Sequence, residues 1–401
     1  MSNSFYIHFI RIKFSPTHKP CCLLQLTPFS SATTATQKPI SKIANQNSFA
    51  VDYLINTLGF SPERAFSASK YLKFKSREKP DSVIAFLKKH GFTKQQIERL
   101  VKYYPHIILR NPQKAMLPKI EFFQSLGISK TEITQIFTTA PEISGRSLER
   151  QIIPCFGYIK SLFDANGTSL SYLKFAPEAL CCNLQSRILP NVNVLKESGV
   201  PYSKIVYLLQ THPRTVMIDA KGFRKLVEKV KEMGFNPLAS TFEMGFNPLA
   251  STFVIAVHVL RVMNKSNWEK KVAAYKKWGI SDNEIITAFA KHPHFITSST
   301  DKIMAVMDFF VNKIGMDPSV VVKAPALVSY SLDKRIKPRY SVYKILAEKG
   351  LIKKGSCLVY LFKCGEKFFL ERFVKSYEEK APRLLELYQK ELAISEKASM
   401  K

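Results

Sequence analysis

Positively charged side chains recur at one position of a repeating pattern in this chain. Three residues after a helix-capping residue stand Lys114, Arg150, Lys302 and Lys334, and next to that position stand Arg187, Lys221 and Arg335. The free N–H groups at a helix start already carry partial positive charge, so a cation there is unfavourable by about 0.3–1 kcal/mol unless an anion lies nearby. A helix start with an added lysine or arginine suits a phosphate group. A solvated helix edge would explain any one of these residues, but their recurrence predicts a phosphate-binding track.

Further basic clusters extend this predicted track. They are Lys270 with Lys271, Lys276 with Lys277, and Arg335 with Lys337 and Arg339. Each cluster alone is typical of a solvated helix face. Four tyrosines would suit stacking on bases, although their spacing favours core packing: Tyr103, Tyr104, Tyr275 and Tyr340.

The sequence offers no pattern that predicts an active site. It has no phosphate-binding glycine loop, no Gly-x-Ser-x-Gly elbow and no group of His and Cys at metal-ligand spacing. His292 and His294 flank Pro293 in a repeat corner, and we interpret them as structural. The seven cysteines include the adjacent pairs Cys21/Cys22 and Cys181/Cys182, with no Cys-x-x-Cys spacing. We expect no catalytic residue, no metal, no cofactor, and reduced cysteines mostly in the core.

The overall charge also indicates a polyanionic partner. Lys and Arg outnumber Asp and Glu by 60 to 31, which gives a formal net charge of +29 in 401 residues. Such a surface repels itself unless a polyanion or an anionic surface neutralises it, and nucleic acid is the first partner to consider. The hydrophobic content of 46% permits a large buried core.

Three columns of residues show that the chain is built from repeats. Prolines at Pro105, Pro141, Pro177 and Pro213 are 36 residues apart and resume at Pro293 and Pro325. A second series follows the first by 13 residues: Pro118, Pro154, Pro190 and Pro338. The third column consists of glycines, at Gly91, Gly127, Gly199, Gly234, Gly279, Gly315 and Gly350. A fixed period of this length is the signature of a repeat architecture.

The columns mark where helices begin and end. Two residues after the glycine stands a residue of N-cap type, at Ser61, Thr93, Ser129, Asn236, Ser281 and Asp317, so one helix closes and the next opens almost at once. The first proline ends that short helix. Six residues later a second, longer helix is capped by Asn111, Ser147, Asn183, Asp219, Ser299 or Ser331. We predict an all-α helical-repeat solenoid of about eight two-helix units with proline corners.

Two features interrupt the regular array. The segment EMGFNPLASTF at 232–242 is repeated without change at 243–253, which indicates a recent duplication or an error in the gene model. In the same unit the first proline is missing, and Val257 or His258 stands where it would fall. We expect the array to span 48–366, with a C-terminal helical cap and tail at 367–401.

The first 50 residues read as an organellar transit peptide, which we place at 1–47. They contain no Asp or Glu and carry Arg11, Lys13, Lys19, Lys38 and Lys42. Cations among bulky apolar residues favour a mitochondrial destination, whereas the hydroxyl-rich stretch 30–36 leaves the chloroplast as the alternative. Nowhere does the chain reach the roughly 18 uninterrupted apolar residues of a membrane span.

Four segments carry a family signature. They are 104–108 (YPHII), 117–123 (LPKIEFF), 125–129 (SLGIS) and 147–154 (SLERQIIP). Tetratricopeptide repeats would need a Trp, Gly-Tyr and Ala pattern that is missing, and pentatricopeptide repeats do not place two prolines in this way. Both proline columns and the Leu-Gly-Ile-Ser turn resemble instead the mitochondrial transcription termination factor (mTERF) family, in its plant branch, over roughly residues 48–392.

The resemblance implies a function as well as a fold. It implies a curved α-helical superhelix whose basic concave path binds double-stranded DNA or organellar RNA, in transcription termination, transcript maturation or intron splicing. We expect a monomeric organellar binder that prefers duplex DNA to RNA, with this interface: Lys114, Arg150, Arg187, Lys221, Lys270, Lys271, Lys302, Lys334, Arg335, Lys337 and Arg339. The alternative from another class is a scaffold whose concave face receives a protein helix or peptide.

Overall fold

Short helices joined by tight turns make up the part of the chain that the computed structural model describes. The structure describes residues 48–72, 74–163, 169–234, 248–353 and 358–399. Within these ranges the regular elements are helical and no strand occurs. The predicted leader, 1–47, and residues 235–247 of the duplicated segment lie outside the described residues.

The α-helices of the described residues are between 4 and 16 residues long. The first part contains α1 (Ser48–Leu58), α2 (Pro62–Ser69), α3 (Glu78–Lys89), α4 (Lys94–Tyr103), α5 (Pro112–Ala115), α6 (Leu117–Ser125), α7 (Lys130–Thr139), α8 (Ile153–Phe163), α9 (Ser169–Phe175), α10 (Leu189–Glu197), α11 (Tyr202–Thr211) and α12 (Ala220–Glu232). The second part contains α13 (Pro248–Val262), α14 (Lys265–Lys276), α15 (Asp282–Lys291), α16 (Thr300–Asp308), α17 (Val320–Lys323), α18 (Lys337–Glu348), α19 (Leu358–Lys363), α20 (Glu366–Phe369) and α21 (Leu384–Ser399).

One unit consists of a first helix, a corner and a second helix. In six units the corner is a five-residue 3-10 helix that begins with the predicted proline: Pro105–Leu109, Pro141–Gly145, Pro177–Cys181, Pro213–Met217, Pro293–Thr297 and Pro325–Ser329. The described residues contain eight two-helix units, from the pair α2 and α3 to the pair α17 and α18, and six of them have this corner. First helices of neighbouring units pack side by side, as α4 does on α7 and α15 on α17. The predicted all-α repeat solenoid is confirmed.

The boundaries of the helices follow from local chemistry. Ser129 and Ser281 form the predicted capping boxes with Glu132 and Glu284, and Thr93 forms one with Gln96. All six predicted caps of the second helices accept a backbone N–H with their side chains. Gly127 and the other column glycines adopt left-handed backbone, with φ of 79° at Gly127, which allows the chain to turn directly into the next helix.

The second proline distorts its helix without ending it. Before Pro154, Pro190 and Pro338 the helix opens with a π-helical turn, and the N–H of Ile152 bonds to the carbonyl of Ser147, five residues back. Because proline has no N–H to donate, the wider turn accommodates it within a continuous helical path. Before Pro118 the path is interrupted at a single residue, Met116, between α5 and α6. The sequence predicted a kink at these positions.

The unit formed by α13 and α14 lacks a corner. Val257 and His258 occupy the place of the missing proline, and α13 continues through them as regular helix. Asn264 then caps α14, its side chain accepting the N–H of Asn267 at 2.8 Å. Without a proline to end it, the first helix simply continues.

The apolar faces of all units join in one core. In the second helix of the unit that begins at α4, Ile120 and Phe123 are buried and Leu126 is half-buried. At the carboxyl end of the chain, α21 packs on α18. No helix in the described ranges is long and apolar enough to cross a membrane.

Candidate nucleic-acid interface

Three of the predicted cations extend freely from the starts of second helices. Asn111, Ser147 and Ser331 cap these helices, and their side chains accept the backbone N–H of Lys114 (3.2 Å), Arg150 (3.2 Å) and Lys334 (3.0 Å). The caps fix the backbone while the three basic side chains are exposed and have no partner among the described residues. We call Lys114, Arg150 and Lys334 the cation column.

Two more predicted cations are exposed, one near a helix start and one in the middle of a helix. Lys221 lies two residues after the cap Asp219, and Lys270 lies in α14; neither side chain has a partner in the described part of the chain. Lys337 is also exposed, but its Nζ is 2.6 Å from Oδ1 of Asp333. A surface pair of this kind contributes little to stability, about 0–1 kcal/mol, and an approaching phosphate would compete for the lysine.

Other members of the predicted interface point to the next unit instead of to solvent. Lys302 donates to the carbonyl of Ser329 at 2.9 Å, Arg187 to that of Met217 at 3.2 Å, and Lys271 to that of Thr297 at 3.1 Å. Arg335 donates to Phe362, Lys363 and Cys364 at 2.7–2.9 Å. All four side chains are half-buried. The carbonyls that they reach stand at or just after the last turns of corners and of α19, where the helix itself supplies no donor.

Arg339 does not belong to the interface. Its side chain is fully buried, and Nη1 donates to the carbonyls of Leu361 (2.8 Å) and Cys364 (2.7 Å). Nη2 lies 2.7 Å from a carboxylate oxygen of Glu366, and the guanidinium lies 4.5 Å from the ring centre of Phe369. Tyr388 of α21 donates to the same carboxylate at 2.6 Å. The prediction for Arg339 was wrong, because a buried guanidinium that satisfies these groups cannot reach a nucleic acid.

Arg339 exemplifies a position that the sequence reasoning missed. The residue directly after the second proline is buried in every unit that has this proline, and it donates to the corner or helix of the next unit. Lys119 donates to Ser144, Cys155 to Ala179, and Asn191 to both Val216 (3.0 Å) and Ile218 (2.9 Å). A polar residue after the second proline, on an otherwise apolar face, was the available signal. We call these residues, with Arg187, Lys271, Lys302 and Arg335, the corner donors.

In three units a π-helical turn sets which residue at the start of the second helix is the donor; Lys114 is free in α5, which has no such turn. Where the second helix opens with such a turn, the residue four after the cap is the donor: Gln151, Arg187 or Arg335. In α16, which opens as α-helix, the donor is Lys302, three residues after Ser299. A π turn contains about one residue more than an α turn, so it moves the donor by one position. The residue three after the cap, Arg150 or Lys334, then remains in solvent.

Burial weakens the proton affinity of the lysines among the corner donors. It lowers the pKa of Lys302 and of Lys271 below the usual lysine value. At Lys119, burial and then the charge of Arg110 lower the pKa to about 8. These lysines have less water around them and already donate to carbonyl groups. They are therefore poor candidates for binding a phosphate.

The sequence profile of the mTERF family matches residues 84–306 and 257–370, which together cover well over half of the chain. The chain belongs to the mTERF family. It is also similar to the transcription termination factor MTERF8, chloroplastic, of Arabidopsis thaliana, with 25% identity over 77 residues. That match covers 19% of this chain and 15% of the relative, so the chain spans only a small part of the relative's length.

Four histidines meet at the corners in the middle of this mTERF chain. His258 stacks on His212 at 3.7 Å between ring centres, and His294 lies 6.2 Å from His212 and 5.9 Å from His292. His292 Nε2 is 3.1 Å from Ser329 Oγ, in keeping with the structural interpretation of the His-Pro-His segment. No group of three or more His, Cys, Asp or Glu residues in the described ranges is arranged to hold a metal ion.

The four tyrosines considered for base stacking have different surroundings. Tyr275 is fully buried and donates to the carbonyl of Phe295 at 3.0 Å, so it belongs to the core. Tyr104 and Tyr340 are half-buried and packed against the core. Tyr103 alone of the four is exposed, with 44% of its surface accessible.

Proposed function

We propose that this protein binds double-stranded DNA in a plant organelle, as a monomer, and regulates transcription there, including its termination. The observation that carries the proposal is the cation column, in which Lys114, Arg150 and Lys334 extend freely beside capped helix starts. Membership of the mTERF family and the name of the Arabidopsis relative support a role in transcription. We propose a binding protein rather than an enzyme.

The cation column suits the backbone of a nucleic acid for an electrostatic reason. Each lysine or arginine that neutralises a phosphate releases condensed counterions, which is the main source of affinity for a polyanion. Helix starts add partial positive charge from unpaired N–H groups. Lys114 and Arg150 stand in adjacent units, so their phosphate contacts would follow one another along the array, and Lys334 would add a contact in the last of the eight units. Lys221 and Lys270 would add contacts in the middle of the array.

The test compares two charge-reversal variants of the full chain. One carries Lys114→Glu, Arg150→Glu and Lys334→Glu in the cation column. The matched control carries Lys160→Glu, Lys196→Glu and Lys231→Glu, which are exposed cations in the last turns of α8, α10 and α12. Both lose six units of charge, so their overall attraction to a polyanion falls equally.

Fluorescence anisotropy with a duplex DNA at two salt concentrations measures the outcome. The column variant should bind at least ten-fold more weakly than the control, and the difference should shrink at high salt. Circular dichroism melting checks that both variants are folded. A folded column variant that binds duplex DNA as tightly as the control would contradict the assigned interface.

For the organelle we propose the mitochondrion. Cations among bulky apolar residues in the leader support this destination, whereas the chloroplastic relative supports the alternative. A fluorescent protein fused after residue 50 should co-localise with a mitochondrial marker in plant cells. Co-localisation with chlorophyll fluorescence would assign the protein to the chloroplast instead.

A further inference from the structure

Exposed aromatic rings recur at the ends of the first helices. Tyr103 and Phe175 each stand two residues before a corner proline, and Tyr71 stands ten residues after Ser61, as Tyr103 does after Thr93. Their exposed fractions are 62% for Tyr71, 44% for Tyr103 and 55% for Phe175. We call these three residues the aromatic column.

The aromatic column is not explained by packing. Rings of this size are usually buried, and large exposed apolar groups in a series commonly mark a binding surface. In the described ranges no other ring lies against Tyr71 or Phe175. At the same position other units carry Thr139, Thr211, Lys291 and Lys323, so the fold does not require an aromatic residue there.

Each ring of the column follows a lysine. Lys70, Lys102 and Lys174 directly precede Tyr71, Tyr103 and Phe175. At Tyr103 the Nζ of Lys102 lies 5.2 Å from the ring centre, and the guanidinium of Arg99 lies 5.8 Å from it. Lys174 forms a 2.7 Å ion pair with Glu132, and both partners are partly exposed. An aromatic face beside a cation complements a nucleotide, which offers a flat base and a phosphate.

One unit carries a residue of both columns. The five-residue corner Pro105–Leu109 joins α4, which ends at Tyr103, to the helix of Lys114. In this unit the exposed ring and the free cation therefore stand on either side of one corner. A strand whose phosphates contact the cation column would have a base near Tyr103.

We propose that the aromatic column stacks on unpaired bases of a single nucleic-acid strand. This inference rests on the proposed function, because the cation column supplies the phosphate contacts. The column occurs in the amino-terminal half of the array, while Lys291 and Lys323 take its position in the carboxyl-terminal half. The amino-terminal units thus bind a strand whose bases are unpaired, and the carboxyl-terminal units bind backbone alone.

The test measures binding of the full chain to a single strand that cannot pair with itself, oligothymidylate or oligouridylate, and to a duplex of equal length. Tyr71→Ala, Tyr103→Ala and Phe175→Ala together should weaken single-strand binding about one-hundred-fold or more, since each stacked base accounts for about five-fold or more. Duplex binding should change less than two-fold. Tyr103→Phe, which keeps the ring, should bind like the wild type.

A gain-of-function variant makes the test independent of stability. Thr139 is exposed at the column position between Tyr103 and Phe175, so Thr139→Tyr adds a ring to the series. It should tighten single-strand binding several-fold, whereas Thr139→Val should not. Comparable effects on oligouridylate and oligothymidylate would show that base faces are bound; a larger effect on oligouridylate would show that the strand is RNA held also at its 2′-hydroxyls.

Three results would overturn the inference. They are a wild type that binds duplex but no single strand, a folded alanine variant that binds single strands normally, and equal losses on single strand and duplex. The second result would indicate that the exposed rings contact a protein partner instead of bases. Since duplex binding by the cation column is measured separately, failure of the aromatic column is distinguishable from failure of the proposed function.

Discussion

The cation column and most of the corner donors are lysines and arginines, and in α18 and the turn before it they lie within two helical turns of each other, yet their surroundings differ. Arg150 and Lys334 are exposed and have no partner in the described ranges. One residue later, Arg335 is half-buried and donates to three carbonyls, and four residues beyond it Arg339 is fully buried. Basic character by itself therefore does not identify the interface.

The difference shows how the fold divides its positive charge. Each corner ends with carbonyl groups that its own short 3-10 helix cannot satisfy, and these groups lie between two units. The preceding unit must supply donors for them, and long basic side chains reach them well. Only the cations that the corners do not need are available for an anion. The net charge of +29 consequently overstates the charge of the interface.

Removing a corner donor should affect stability far more than removing a free cation. The largest effect is expected for Arg339→Met, which leaves several carbonyls without a donor and the carboxylate of Glu366 without its partner. We expect a loss of about 3 kcal/mol in the free energy of unfolding, the lower end for a broken buried pair because Glu366 is partly exposed. Urea unfolding followed by circular dichroism measures it.

Lys337→Met is the matched control for Arg339→Met. Lys337 is two residues away, and its exposed pair with Asp333 contributes about 0–1 kcal/mol. If both variants unfold at the same urea concentration, Arg339 does not stabilise the packing of α18 on its neighbours.

Asn191→Leu should have the next largest effect. The side chain is buried, and its amide donates to Val216 and Ile218. Leucine has a similar size but leaves both carbonyls unsatisfied, so we expect a loss of about 2 kcal/mol. Asn193→Leu, two residues on and exposed, should change stability little. Hydrogen exchange should show the loss as faster exchange in the corner Pro213–Met217 and in α10; unchanged rates there would contradict the role of Asn191.

Acid should have a smaller effect that separates the histidine corners from the cation column. Burial, and then neighbouring positive or imidazole groups, lowers the pKa of His212 to about 4, of His258 to about 3 and of His292 to about 4. Arg261 faces the first two and Lys363 faces the third. Near and below pH 6.5 the unfolded chain therefore binds more protons than the folded chain. The free energy of unfolding should fall as pH decreases from about 7 to 5.

Denaturant midpoints at pH 7.5, 6 and 5 measure this dependence. Replacement of His258 by Gln should make the pH dependence of the midpoint weaker. The Lys114, Arg150 and Lys334 variants should keep the pH dependence of the wild type. A stability that is constant between pH 7 and 5 would show that these imidazoles are not held neutral.

The sequence predicted the structural features that depend only on residues close together along the chain. The proline columns, the glycines, the caps Asn111 and Ser147 and the capping box of Ser129 were all found where the pattern placed them. These features act through backbone geometry within a few residues, so their types and spacing suffice to identify them. For the same reason the fold class followed from one chain.

The division between free cations and corner donors did not follow from the sequence. It depends on which carbonyl of the next unit a side chain meets, about 25–30 residues away, and on a π turn that shifts the helix by one position. In the sequence Arg339 belongs to a basic cluster with Arg335 and Lys337, but in the structure its side chain is fully buried. Packing between units, rather than composition, decided its role.

The salt dependence of duplex binding distinguishes the cation column from the corner donors most sharply. Neutralising Lys114, Arg150 and Lys334 to Gln should remove phosphate contacts, so the slope of log Kobs against log salt should become shallower by about 0.9 for each residue. The same loss of charge at the corner donors, through Arg187→Met, Lys271→Met and Lys302→Met, should leave the slope of the folded protein unchanged. Equal slopes for the wild type and the column variant would contradict the division of charge between the two sets. So would a donor variant whose slope becomes shallower by as much as that of the column variant.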